Sequence, residues 1–191
     1  MSSKVIYFDN NATTIMPREV IDTVVLWINR GNPSSSYTSA NECKKLFKSF
    51  RDTIAKQCGF RSDVMEGYTT IFTSGASESN SHIITACARA FAIETSKIPH
   101  VIVSAVEHKS ILMCCETLAD EHQIELTVLP VYTSGPLYGT IDPNNLRAAI
   151  KPNTCLVSIM AVNNETGIRN NIKEIGSICK ERNVPFHTDM V

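Results

Sequence analysis

The chain has 191 residues, with 18 basic and 19 acidic side chains, a formal net charge of −1, 43% hydrophobic residues and 7% aromatic ones. That is ordinary globular composition and argues against disorder, collagen and coiled coil; the near-neutral charge removes the electrostatic reason to propose nucleic acid or an anionic membrane as a partner. At about 150 residues per domain, the length predicts one domain or a little more.

In chain order, residues 5–8 read as a short strand followed by a polar turn at 9–14. Pro17 suits the first turn of a helix, whose apolar stripe is Val20, Val24 and Ile28 beside Ile21 and Val25. Residues 31–36, Gly-Asn-Pro-Ser-Ser-Ser, are a loop by composition. A second helix places Cys43, Phe47, Phe50, Ile54 and Cys58 on one face, and Gly59 ends it. Regular alternation then begins. Strand-like runs at 69–73, 101–104, 125–129, 155–160 and 184–188 alternate with helical patterns at about 76–95, 109–122, 143–150 and 171–182. Most of the strand runs are nearly continuous apolar stretches, as expected of strands covered on both faces. The alternation predicts an α/β fold with a parallel sheet and right-handed crossovers. The first sixty or so residues lack it and read as an appended helical arm.

The longest mostly apolar stretch, 83–93, is interrupted by Arg89 and is shorter than the roughly 18 residues a membrane span needs. Seven cysteines, at 43, 58, 87, 114, 115, 155 and 179, include no C-x-x-C pair. Neither a zinc site nor a disulfide framework is implied, and free, mostly buried thiols in a reducing compartment are expected. The start shows no signal peptide and no Arg-rich presequence, so a cytoplasmic location is expected and the two N-x-[ST] matches read as chance.

Ligands of open parallel sheets bind at the carboxyl ends of the strands. Run 69–73 leads into Ser74-Gly75-Ala76-Ser77-Glu78-Ser79-Asn80 and a helix. Free amides and hydroxyls there suit a phosphate; a plain N-cap by Ser74 or Ser77 is the alternative. G-x-G-x-x-G and the P-loop are absent, which argues against dinucleotides and nucleoside triphosphates. Past strand 101–104 come Glu107 and His108, the latter placed to stack on a flat ligand, move a proton, or cap the next helix. Past 155–160 come Asn163, Asn164 and Glu165, either binding groups or an Asx-type turn closed by Gly167. Strand 184–188 delivers Asp189, able to cap a helix or pair with a cationic ligand atom. A flat heterocycle carrying a phosphate and a basic ring nitrogen, such as pyridoxal phosphate, would use a cradle, an imidazole, an amide pair and a carboxylate together.

Six motifs occur in order: Asp9-Asn10-Asn11-Ala12-Thr13-Thr14, Gly31-Asn32-Pro33-Ser34-Ser35, Thr73-Ser74-Gly75-Ala76-Ser77-Glu78-Ser79-Asn80, Glu107-His108-Lys109-Ser110-Ile111-Leu112, Val162-Asn163-Asn164-Glu165-Thr166-Gly167 and His187-Thr188-Asp189. Together they resemble the NifS-like cysteine desulfurases, pyridoxal-phosphate enzymes of the class V aminotransferase group, along the whole chain. The resemblance implies a three-layer α/β large domain of the pyridoxal-phosphate-dependent transferase type (fold type I), with a mostly parallel sheet that is incomplete here. Residues 1–16 would be an N-terminal segment packing with a small domain, and 17–191 the first part of the cofactor-binding large domain. Ala76 and Ser77 would hold the cofactor phosphate. His108 would stack on the ring and help move protons, Asn164 would bond the phenolic oxygen, and Asp189 would pair with the ring nitrogen. Asn11 and Asn32 would lie on the substrate side.

The implied activity converts L-cysteine to L-alanine and passes sulfur to an enzyme cysteine as a persulfide, in the service of iron-sulfur cluster assembly, in a homodimer. A sulfur-acceptor protein is a further implied partner. The family's Schiff-base lysine and sulfur-accepting cysteine fall beyond Val191, so the 191 residues alone are expected to be inactive and to need a complementing C-terminal half. Lys109 adjoins His108 but is not at the catalytic lysine's motif position, and Met190 stands where a small residue is usual. In the family sheet, the strand at 69–73 pairs with strands that come late in sequence, so here it is expected to lack its neighbours. A truncated, non-catalytic cofactor-binding or dimerisation module, and another class V member such as a selenocysteine lyase or a kynureninase-like hydrolase, are the alternatives.

Overall fold

The computed structural model describes residues 6–59 and 69–191. The chain divides into two compact units, Met1–Phe72 and Thr73–Val191. In the first unit, α1 (Arg18–Trp27) starts after Pro17, whose φ of −59° is already helical. Arg18 and Asp22 pair at 3.0 Å, one turn apart. The predicted stripe forms, but none of it is buried: Val24 is 50% and Ile28 73% exposed. In α2 (Thr38–Gln57), Ala40, Cys43 and Ala55 are buried while Phe47, Phe50 and Ile54 stay exposed. Phe72 meets Phe47 edge-on at 6.1 Å between centroids, and the Arg51 guanidinium lies 5.7 Å from its ring. Gly59 follows the helix with a φ of +86°, a conformation that favours glycine.

Two predicted strands are absent. Residues 6–8 are irregular, and Val5 lies outside the described residues. Residues 69–73 also form no strand. Their β-branched and aromatic side chains are strand-like, but a strand exists only through ladder hydrogen bonds, and no described segment offers 69–73 a partner.

The second unit follows the predicted alternation closely. Its elements are α3 (Ala76–Thr95), β1 (His100–Ser104), α4 (Lys109–Asp120), β2 (Glu125–Leu129), α5 (Pro143–Ala149), β3 (Thr154–Ser158), α6 (Ile172–Glu181) and β4 (Phe186–His187). The four strands are parallel in the order β2-β1-β3-β4. Every residue of the central strands β1 and β3 is buried, whereas β2, at an edge, is mostly exposed or half-exposed. Alternate residues of β1 face opposite layers. Val101 and Val103 pack with Ile84, Ala88, Ile111 and Cys115 of α3 and α4. Ile102 packs with Leu146, Ile175 and Ile178 of α5 and α6. The result is the expected three-layer α/β arrangement, each fully buried aliphatic side chain contributing roughly 1.5–3 kcal/mol. Helices begin with side-chain caps at Asp142 (α5) and Asn171 (α6). His100, wholly buried at the start of β1, places one ring nitrogen 2.8 Å from the Thr154 hydroxyl and the other 2.8 Å from that of Thr127. All seven cysteines are free; Cys43, Cys115, Cys155 and Cys179 are buried and Cys58 is exposed. No described helix is long and apolar enough to cross a membrane.

Candidate functional site at the strand ends

The parallel order sends the ends of β1, β3 and β4 to the same rim. Past β4 the chain stays in register with the residues after β3: the Ile159 N–H donates to the His187 carbonyl at 3.1 Å and the Ala161 N–H to the Asp189 carbonyl at 2.9 Å. Asp189 is thereby held at the rim and is 8% exposed. It caps no helix. The Asn80 side-chain amide donates to its Oδ2 at 2.9 Å, and the Val191 N–H donates to Oδ1 at 3.1 Å.

His108 is exposed and is the N-cap of α4, as one of its sequence readings had it. The Ser110 N–H donates to its Nδ1 at 3.1 Å. The second N–H of the Asn80 amide donates to Ser110 Oγ at 3.1 Å, which leaves the Ser110 hydroxyl to donate to Nδ1 at 2.8 Å. Nδ1 is therefore an acceptor, and a neutral His108 ring carries its proton on Nε2.

The start of α3 supplies amides. Its N-cap, Gly75, has no capping side chain, and a Cβ added there would meet nothing within 4 Å. Ser74 is not the cap. Instead Glu78 reaches back, accepting from the Ser74 N–H at 2.7 Å and the Ser74 hydroxyl at 2.6 Å. These two bonds hold the Glu78 carboxyl below the usual carboxylate range. Ala76 and Ser77 thus sit in an uncapped first turn whose N–H groups find no acceptor among the described residues and can bind an anion. Ser77 and His108 line one groove of about 560 Å³ with Ser81, Ser110, Met113 and Cys114.

The 162–167 segment is the Asx-type turn, but Asn163 makes it. Its Oδ1 accepts from the N–H groups of Glu165 (3.1 Å) and Thr166 (2.9 Å), and Gly167 closes the turn at a φ of +71°. Asn163 Nδ2 also donates to the Val106 carbonyl at 3.0 Å, tying the turn to the segment before His108. Asn164 is half-buried and donates to Glu165 Oε1 at 3.1 Å. Asn11 and Asn32, in the first unit, are exposed, and Asn32 Oδ1 accepts from the Ser34 N–H at 2.9 Å.

Three residues of this rim were not singled out by sequence: Glu107, Asn80 and Ser110. Glu107 is 5% exposed, and its Oε1 accepts from the Ser104 hydroxyl at 2.5 Å and the Met160 N–H at 2.8 Å. Its Oε2 has no partner among the described residues. Burial pushes its carboxyl up to about 7; the two hydrogen bonds oppose that rise and the nearby Asp189 charge adds to it. Asn80 did carry a signal. It lies one and two turns before Ile84 and Ala88 on the buried face of α3, a polar residue on an apolar stripe.

The family model described as aminotransferase class-V matches residues 6–191. The chain belongs to this family. A cysteine desulfurase IscS from Methanosarcina thermophila is 38% identical over 191 residues, covering 99% of this chain and 44% of the relative. A selenocysteine lyase from Xenopus laevis is 39% identical over 175 residues, covering 85% and 39%. The solved structure of a NifS-like protein superposes with a TM-score of 0.84 at 28% identity, covering 97% of this class V chain and 49% of that structure. The chain therefore spans less than half the length of these relatives.

Proposed function

We propose that this class V chain is the cofactor-holding part of a pyridoxal-phosphate-dependent cysteine desulfurase. Class V aminotransferases and cysteine desulfurases are pyridoxal-phosphate-dependent. The rim residues fit that group on their own chemistry. The uncapped turn at Ala76 and Ser77 offers amides and a hydroxyl to a phosphate. Asp189 keeps unused acceptor capacity on a buried carboxylate, which suits a protonated ring nitrogen. His108 would cover the ring, with Nε2–H rather than Nδ1 available for proton transfer. Asn164 would bond the phenolic oxygen, and Asn11 and Asn32 would face the substrate. When bound, the cofactor accepts the electrons released at the substrate's α-carbon. In the proposed reaction the C–S bond of L-cysteine breaks, its sulfur joins an acceptor cysteine as a persulfide, and L-alanine leaves. No lysine or cysteine of these 191 residues is assigned the Schiff-base or acceptor role. Residues 1–16 as a small-domain segment and 17–191 as the start of the large domain belong to the same reading, as do a homodimer and an iron-sulfur assembly role.

The observation that carries the reading is Asp189 buried at the rim and bonded, among the described residues, by two neutral donors, in a chain of this family. Titrating the intact chain with pyridoxal phosphate should show saturable binding with a change in the visible spectrum. Asp189→Ala should weaken binding by about tenfold or more and alter that spectrum. No affinity in the unaltered chain, or an Asp189→Ala variant that binds identically, overturns the proposal. The selenocysteine lyase relative keeps one second reading open: selenium in place of sulfur, decided by comparing turnover of the two amino acids by the complete enzyme.

A further inference from the structure

Asp189 follows β4 and His108 follows β1, yet one side chain of α3 reaches both groups. We propose that Asn80 is a positioning residue for the cofactor's pyridine ring: its amide orients the Asp189 carboxylate directly and the His108 imidazole through Ser110. This deepens the reading above, on which it rests, and assigns a role to a residue that reading leaves out.

Asn80 is 3% exposed and sits among Ile84 and Ala88 on the inner face of its helix. Burying an amide there costs free energy that an apolar residue would not. Two hydrogen bonds offset it, both from Nδ2: 2.9 Å to Asp189 Oδ2 and 3.1 Å to Ser110 Oγ. A carboxylate can only accept, so the amide's orientation is determined chemically, with its nitrogen toward Asp189. Donation runs outward from Asn80 in both directions, ending at His108 Nδ1 on one side and at Asp189 on the other. Asp189 forms no ion pair among the described residues. Its two bonded donors, Asn80 and the Val191 N–H, are uncharged, so they hold the carboxylate in place without neutralising it. An arginine in place of Asn80 would take the charge that a ring N–H⁺ needs.

The test compares pyridoxal phosphate with its analogue in which a C–H replaces the ring nitrogen, both by equilibrium dialysis against the intact chain. The unaltered chain should prefer the natural compound by about tenfold, as a charge-assisted bond to Asp189 requires. Asn80→Ala should cut that preference to about threefold or less while leaving affinity for the analogue nearly unchanged, because only the ring-nitrogen contact depends on carboxylate orientation. A merely structural Asn80 would weaken both ligands equally. Asn80→Asp, equal in volume but facing Asp189 with an acceptor, should lose the preference too and guards against a folding failure of the alanine variant. The preference surviving in a folded variant, equal weakening of both ligands, or failure of both variants to fold overturns the positioning role. An unaltered chain that binds both compounds alike instead overturns the ring-nitrogen assignment of Asp189, and this inference with it.

Discussion

Glu107 shows how a single burial decision sets a pH response. Its carboxyl is raised from an ordinary 4.5 to about 7, chiefly because the folded chain removes it from water. Between those two values the folded chain holds a proton that the unfolded chain has lost. Stability therefore falls as pH rises from about 4.5 to 7. Glu107→Gln keeps an acceptor for the Ser104 hydroxyl and the Met160 N–H but cannot ionise. The substitution should remove up to about 3 kcal/mol of that fall, read as the change in urea-unfolding free energy between pH 5 and pH 8. A variant with the same pH slope as the parent would show that Glu107 does not titrate in this window. Sequence placed Glu107 at a strand end but gave no hint of its environment, because the Met160 N–H that bonds it and the Asp189 charge beside it come from far along the chain.

Among elements, agreement between pattern and structure follows the availability of a partner. Central strands β1 and β3 are buried throughout, and their continuous apolar runs predicted that. Residues 69–73, Thr-Thr-Ile-Phe-Thr, are β-prone yet form no strand, because pairing is a property of two segments. Short helices depend more on their caps. The seven-residue α5 begins at Asp142, whose Oδ1 accepts from the Asn144 N–H at 2.8 Å, with Pro143 at its first position. Asp142→Ala should cost about 1 kcal/mol of stability, measured by chemical denaturation, while Asp142→Asn should cost much less. Equal losses in the two variants would place the effect elsewhere than the cap.

Over the whole molecule, the uneven distribution of buried apolar surface matters most. The unit Thr73–Val191 holds two buried clusters on either side of its sheet. In the other unit the apolar stripe of α1 is exposed throughout, Val25 at 65% and Ile28 at 73%. Contiguous apolar surface of this kind is unusual on a stable monomer. The 191-residue chain alone should bind a hydrophobic dye and self-associate in a concentration-dependent way, seen by light scattering. A dye-silent monomer that melts in one sharp cooperative transition at high temperature would contradict this.

The amino-acid sequence by itself determined the helix periods, the α/β alternation after residue 75, the parallel sheet and the three strand ends where chemistry gathers. Those features are local: side-chain spacing, proline and glycine geometry, and apolar runs act within a few residues of themselves. Only the tertiary structure decided that Asn80 joins Asp189 to His108 and that Asn163 rather than Asn164 builds the turn. The Asn80 bonds join groups from distant parts of the chain, and the Asn163 turn, local in itself, is tied by Asn163 Nδ2 to the distant Val106 carbonyl; hydrogen bonds of that kind leave no periodic trace in the order of residues.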